Sequence, residues 1–166
     1  MKKNIKTAVG IFAAAVLQSM LCPYIKIGSV MPNLLCVFAL YSAFNESNII
    51  RVMITAAAAG AVMDCLTGRI FGLYTAAYLV VSVLACAIKD TLFKEGLLIN
   101  IPVFFLLSAL GNVLFYVMNL GVLKSTSFWY ALFFIILPEA AYNTVIYIII
   151  ALLSRKKKRR KAGIMR

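Results

Sequence analysis

The chain has 166 residues, of which 64% are hydrophobic and only 13% are charged, and its mean hydropathy is +0.98. A soluble domain is about half apolar and about one-quarter charged, so a soluble fold of this length could not bury so much apolar surface. Histidine is absent, which excludes Ser-His-Asp and Cys-His catalysis and histidine metal sites, while the net charge of +12 would suit an anionic partner.

Six apolar segments follow one another along the chain, separated by short polar breaks. A transmembrane helix needs about 20 mostly apolar residues. We predict one span in each of the segments 7–22, 31–44, 48–66, 71–88, 97–120 and 128–154, the second of which is short and is expected to tilt or to extend back through 25–30. The sequence therefore predicts an all-α polytopic membrane helix bundle. It has one domain of six transmembrane helices over 1–154 and a basic cytoplasmic tail over 155–166.

The first segment imitates a signal peptide. Lys2, Lys3 and Lys6 precede its apolar run, but no Ala-x-Ala cleavage pattern follows. We therefore predict that this segment is retained as the first span.

The four cysteines lie in apolar stretches and form no CxxC pair. This placement is typical of small buried hydrophobic residues rather than of a disulfide framework or a zinc site. No metal and no cofactor are expected.

The third span carries small residues at four-residue spacing and one carboxylate. Gly60 follows Ala56 by four residues, a spacing that lets two helices approach closely. Asp64 lies near the outer end of this span, shortly before Gly68 and Arg69. Because a charge at bilayer depth is costly, Asp64 has two possible roles. It either caps or pairs with the following turn, including Arg69, or it faces the bundle as a contact or ligand group.

The last span carries a carboxyl group near mid-bilayer. At ~1.5 Å per residue, Glu139 lies about halfway down a span that begins near Trp129. Pro138 removes a backbone donor beside it and should kink the helix or start its inner half. Asn143 shares a face with Glu139, and Asn112 of the fifth span can reach the same layer. We predict a polar node of these three residues that joins helices, with a neutral Glu139 because burial disfavours its charge.

The basic tail holds eight of the seventeen basic residues of the chain. We predict that it anchors the last span on anionic lipids, or that it also meets an acidic or filamentous cytoplasmic partner. A nucleic-acid partner is not expected, because the tail has neither aromatic interleaving nor a binding fold. Seven of its residues are consecutive: Arg155, Lys156, Lys157, Lys158, Arg159, Arg160 and Lys161.

The positive charges also predict the orientation. With a cytoplasmic N-terminus and six spans, fourteen basic residues lie inside and three lie outside, as the positive-inside rule requires. Both termini are then cytoplasmic in a bacterial cytoplasmic membrane, and Trp129 and Tyr130 lie at the outer interface, where such rings are enriched.

Several short motifs occur in a characteristic order. Met-Pro-Asn-Leu-Leu at 31–35 opens the second span, residues 60–64 with Gly68, Gly72 and Leu73 form the turn after the third, and Leu-Pro-Glu at 137–139 with Tyr-Asn at 142–143 marks the sixth. Together they resemble the MreD family of bacterial rod-shape-determining membrane proteins over nearly the whole chain. Members of that family often carry Pro-Asp where this chain has Pro32-Asn33, so the resemblance carries over no role that needs a carboxylate there.

The resemblance implies a scaffold rather than a catalyst. MreD-like proteins act with an MreC-type protein, actin-like MreB filaments and the peptidoglycan synthases of the elongation machinery. The family is also similar in fold to the substrate-binding membrane subunits of energy-coupling-factor vitamin transporters, so vitamin binding is the alternative. It would need a polar, aromatic-lined outer cavity and a small-residue stripe, and 13–15 give no repeated Ala-x-x-x-Ala. A membrane enzyme is the third possibility, against which the absence of histidine and the scarcity of paired carboxylates argue.

Overall fold

The computed structural model is helical through most of the chain that it describes. It describes residues 2–27, 30–68, 70–92, 97–119 and 127–164, with no side chain described at 2–3, 90–92, 97–98 and 155–164. Six helical segments are present in these ranges: α1 (Lys2–Met20), α2 (Leu34–Asn45), α3 (Ile49–Thr67), α4 (Leu73–Leu92), α5 (Leu97–Met118) and α6, which runs on from Phe128–Ala131 through a π-helical stretch Leu132–Ile136 to Leu137–Ile164. The predicted all-α class is confirmed, and each predicted segment contains one helix.

Three of these helices are long and apolar enough to cross a membrane by themselves. They are Ile49–Thr67, Ile99–Met118 and Phe128–Ser154, while Leu34–Asn45 and Leu73–Lys89 are apolar but shorter. α2 has 12 residues, about 18 Å at the rise of an α-helix, against a hydrocarbon core of about 30 Å. By helix length alone, the described part of the chain therefore supports three spans.

The second helix begins three residues later than the predicted segment at 31–44. Pro32 disfavours helical backbone at the residue before it, and Asn33 acts as the N-cap of α2, its side chain accepting from the N–H of Cys36. At its other end α2 lies beside the end of the apolar part of α6, where Tyr41 Oη donates to Ser154 Oγ over 2.9 Å. The short α2 therefore packs alongside only the second half of the apolar part of α6, from Asn143 to Ser154.

Gly60 of α3 lies directly against the backbone of α4. A methyl group placed on Gly60 would lie 2.4 Å from Cα of Thr75, which is closer than real contacts allow. The absence of a side chain at Gly60 therefore lets α3 approach the first turn of α4 closely.

The irregularity expected at Pro138 lies one turn earlier in the helix. Proline lacks an N–H and its ring clashes with the carbonyl group four residues before it. The π-helical stretch Leu132–Ile136 precedes Pro138 directly, and the N–H of Leu137 bonds to the carbonyl of Leu132. The wider π turn is a recognised way to accommodate such a break, so α6 continues past Pro138 instead of ending there.

Some predicted features lie outside the described residues. Arg69, Lys94 and Lys124 of the charge count belong to this group. The backbone of the basic tail is helical as far as Ile164, but its side chains from Arg155 onward are outside the description.

Candidate functional site

Asn33 is the centre of a buried polar network at the start of α2. Its side chain is 3% exposed. Its Oδ1 accepts from the N–H of Cys36 at 3.1 Å and from the hydroxyl of Tyr78 on α4 at 2.7 Å. Its backbone N–H donates to Oδ1 of Asn143 on α6 at 2.7 Å. One residue thus joins α2, α4 and α6.

Gln18 on α1 completes the hydrogen bonds of the backbone around Asn33. Its Nε2 donates to the carbonyl of Pro32 at 3.0 Å, and its Oε1 accepts from the N–H of Leu34 at 2.7 Å. Non-helical backbone at membrane depth is stable only where protein groups satisfy its donors and acceptors. The side-chain amide of Gln18 satisfies one backbone acceptor, the Pro32 carbonyl, and one backbone donor, the Leu34 N–H. This explains why a glutamine is buried in an apolar helix.

The helices α5 and α6 contribute the remaining polar groups. Asn143 Nδ2 donates to Ser108 Oγ on α5 at 3.0 Å. The carboxyl group of Glu139 interacts with the side chains of Asn33 and Asn112, although Asn112 Nδ2 has no partner at close hydrogen-bond distance among the described atoms. Glu139 and Asn112 therefore lie near one another without a close hydrogen bond from Asn112 Nδ2.

The predicted node of Glu139, Asn143 and Asn112 therefore includes a fourth residue, Asn33, at its centre. Asn143 and Glu139 each contact Asn33, and Glu139 also faces Asn112. In the described part of the chain, the network reaches five of the six helices, every one except α3. Such an arrangement of amides, hydroxyls and one carboxyl can hold helices together through mutual hydrogen bonds.

Asp64 lies in a separate polar site at the end of α3. It is 3% exposed, and its carboxylate accepts from the N–H groups of Gly72, Tyr74 and Thr75 at 2.9, 2.9 and 3.2 Å. The hydroxyl of Thr75 adds a fourth bond at 2.7 Å. These donors include the otherwise unpartnered N–H groups of the first turn of α4, and a negative charge there also suits the helix dipole. The geometry of Asp64 is that of a cap on the next helix.

Two glycines shape the turn that Asp64 holds. Gly68 follows α3 with a φ of 60°, the left-handed conformation that commonly ends a helix, and Gly72 has a φ of 104°. Arg69, the other expected partner of Asp64, lies outside the described residues.

The sequence pointed to only part of the network. Glu139, Asn143 and Asn112 are recognisable as polar residues in apolar spans, and Asn33 only as part of a motif. Gln18, Tyr78 and Ser108 are not predicted. Gln18 and Ser108 carry the same signal as Asn143, a lone polar side chain inside an apolar helix, which usually faces the bundle interior.

A comparison with protein families gives one match of wide coverage. A family model described as rod shape-determining protein MreD matches residues 1–157. The comparisons with curated proteins and with solved structures gave no match.

Proposed function

This chain belongs to the MreD family of rod shape-determining proteins, and we propose that it is a non-catalytic membrane scaffold of the bacterial cell-elongation machinery. The match over residues 1–157 is the observation that carries the proposal. Family membership supports a role in rod-shape determination, and the three long apolar helices fit a membrane location. The vitamin-binding alternative has no support in the comparisons.

The polar chemistry of the described residues favours a scaffold. The carboxylate of Asp64 is bonded to four donors of the α3–α4 turn. Asn33, Gln18 and Asn143 bond to one another's backbone or side chains, or to groups of neighbouring helices. Groups used in this way fix the positions of helices. A scaffold needs such fixed positions, because its partners must meet the same surface each time.

The proposed partners are an MreC-type protein, MreB filaments and peptidoglycan synthases. The family is associated with the MreB and MreC shape system. We propose that the chain couples these components, directly or through one another, and so links peptidoglycan synthesis to cell shape.

We also propose six spans with both termini in the cytoplasm. Fourteen of the seventeen basic residues are inside in this orientation. Trp129, which is 66% exposed on α6, then lies at the outer interface, and the basic tail lies on the anionic inner surface. In this topology the second span consists of the short α2 together with the residues that precede Asn33. Reporter fusions at Met1 and Arg166 test it, and an external signal from either end would rule it out.

The function is tested in a rod-shaped bacterium depleted of its own family member. Expression of this chain together with its cognate MreC-type protein should restore rod shape, and the two proteins should co-purify. A chain that inserts in the membrane but neither restores shape nor co-purifies would contradict the proposal.

A further inference from the structure

A cleft opens between α1, α2 and α3 at the end of the bundle that contains the α2–α3 turn. Its volume is about 580 Å³, within the ~300–1,000 Å³ range of sites that bind small molecules. None of the residues that form the network around Asn33 lines the cleft, which extends from Phe38 of α2 to Ala58 of α3.

The cleft is apolar inside and polar at its rim. Ile11 of α1, Phe38 of α2 and Ala58 of α3 line the inner part, and Asn45 and Arg51 lie at the rim. Ala58 comes seven residues after Arg51, which places it about 10 Å further along α3. The lining over that length is mainly apolar, with Thr55 as a polar exception, so an apolar chain with a polar group at one end matches the cleft best.

The rim carries one carboxylate, Glu46, and two cations lie close to it, so the net charge there favours an anion. Arg51 is half-exposed, and its Nη1 lies 4.0 Å from Oε2 of Glu46, at the outer limit of an ion pair. A partly exposed pair at that distance contributes little, and a guanidinium has five N–H donors, so Arg51 retains donors for a phosphate. The buried Lys89 of α4 donates from Nζ to the backbone carbonyl of Glu46, which places a second cation under the same turn.

The surfaces beside the cleft are apolar and exposed. Val9 and Phe12 of α1 are 61% and 71% exposed, and Ile50 and Ile54 of α3 are each 64% exposed. In a membrane protein such faces meet lipid tails. A lipid could therefore enter the cleft sideways without leaving its leaflet. A soluble anion, in contrast, would make no favourable contact with the apolar lining.

We propose that this cleft binds one anionic phospholipid, with an acyl chain between Phe38 and Ile54 and the phosphate at Arg51. The assignment to the cytoplasmic leaflet rests on the topology proposed above, but binding itself does not. The site would give the bundle a preference for membrane regions rich in anionic lipid that is independent of the basic tail.

The test is native mass spectrometry of the purified, delipidated full-length chain with phosphatidylglycerol or phosphatidylcholine of the same acyl chains. Both lipids carry the phosphate, but the quaternary ammonium of phosphatidylcholine would lie beside the cations Arg51 and Lys89. The wild-type protein should therefore retain one phosphatidylglycerol about tenfold more tightly than phosphatidylcholine. Arg51→Gln should remove that preference, and Ala58→Phe should weaken the binding of both lipids by filling the cleft.

Two controls separate the cleft from the general charge and surface of the protein. Lys6→Gln removes an exposed cation at the same end of the bundle, and Ala13→Phe adds the same bulk on the exposed face of α1. Both should bind as the wild type does, and all variants keep the tail. Arg51→Gln decides the question alone if Ala58→Phe does not elute as a folded protein.

The proposal is overturned if the wild type shows no preference between the lipids, or if Arg51→Gln and Lys6→Gln behave alike. The proposal is also overturned if the wild-type and Ala58→Phe proteins bind both lipids equally well. The lipids would then bind outside the cleft, and the cleft would be free for another occupant such as a partner's helix. Because binding is measured on the purified chain, its failure is a separate result from a failure to restore cell shape.

Discussion

The backbone N–H of Asn33 donates to Oδ1 of Asn143 over 2.7 Å, and this bond joins the start of α2 to the middle of α6 across 110 residues of chain. It fixes the depth at which α2 begins. Since α2 is too short to cross a bilayer, its position depends on this contact and on the bonds of Gln18 to the adjacent backbone.

Replacing Asn143 should therefore destabilise the bundle. Asn143→Leu leaves the N–H of Asn33 and the hydroxyl of Ser108 without their partner, and a buried unsatisfied group costs about 1–3 kcal/mol. Thermal unfolding in detergent measures the loss. Asn112→Leu is the matched control and should cost less, because Asn112 Nδ2 has no partner at close hydrogen-bond distance among the described atoms. Equal losses of stability in the two variants would mean that the hydrogen bond between Asn143 and Asn33 does not stabilise the bundle.

Asp64→Asn should destabilise the turn between α3 and α4. All four groups that contact the carboxylate are hydrogen-bond donors, so the NH₂ of an asparagine would face a donor where the carboxylate oxygen now accepts. The expected cost is about 1–3 kcal/mol in the free energy of unfolding. Thr75→Val, which removes only the hydroxyl bond, should cost less. A fully stable Asp64→Asn protein with altered partner binding would instead assign Asp64 a contact role.

Gly60→Ala should disturb the α3–α4 contact, because the added methyl group would lie 2.4 Å from the backbone of Thr75. Overpacking of this kind typically costs about 1–3 kcal/mol, and Gly60→Leu should cost more. Gly111→Ala is the control, since a methyl group there would lie 3.5 Å from Val81 Cγ1, an ordinary contact. Elution and unfolding temperature in detergent compare the two. Similar behaviour of both alanine variants would contradict the close packing at Gly60.

The helices were predictable from the sequence because lipid-facing apolar segments are long and continuous. The start of α2 was less so. No charged residue separates Met31 from the helix that follows, but Pro32 and the N-cap Asn33 delay the start of α2 to Leu34. The partners in the network were not predictable, because they meet only through the arrangement of the helices. Gln18 bonds to the backbone of Pro32 and Leu34, Tyr78 bonds to Asn33, and Ser108 bonds to Asn143. Periodicity within one helix carries no information about such pairings.

The contact between Asn33 and Glu139 can be tested by exchanging the amide and the carboxyl group between the two positions. Oδ1 of Asn33 is already used by Cys36 and Tyr78, so its Nδ2 is the group that can donate to Glu139. Asn33→Asp keeps the acceptor but removes this donor and places two carboxyl groups together, which should cost about 1–3 kcal/mol. Adding Glu139→Gln should recover most of the loss, because Gln can donate to the new carboxylate. Additive losses in the double variant, measured by thermal unfolding, would argue against the contact.

If the buried polar network holds together a non-catalytic scaffold, Glu139 acts in it as a hydrogen-bonding group. The decisive measurement is rod-shape complementation with Glu139→Gln and Glu139→Leu, together with the thermal stability of both variants in detergent. We expect Gln to keep both cell shape and stability, because it donates and accepts hydrogen bonds as a neutral carboxyl does. Leu should weaken both, with a loss of about 1 kcal/mol if one interhelical hydrogen bond disappears. If Gln fails as badly as Leu while the protein still inserts and folds, the charge of Glu139 itself is needed, and its role as a scaffold residue is contradicted.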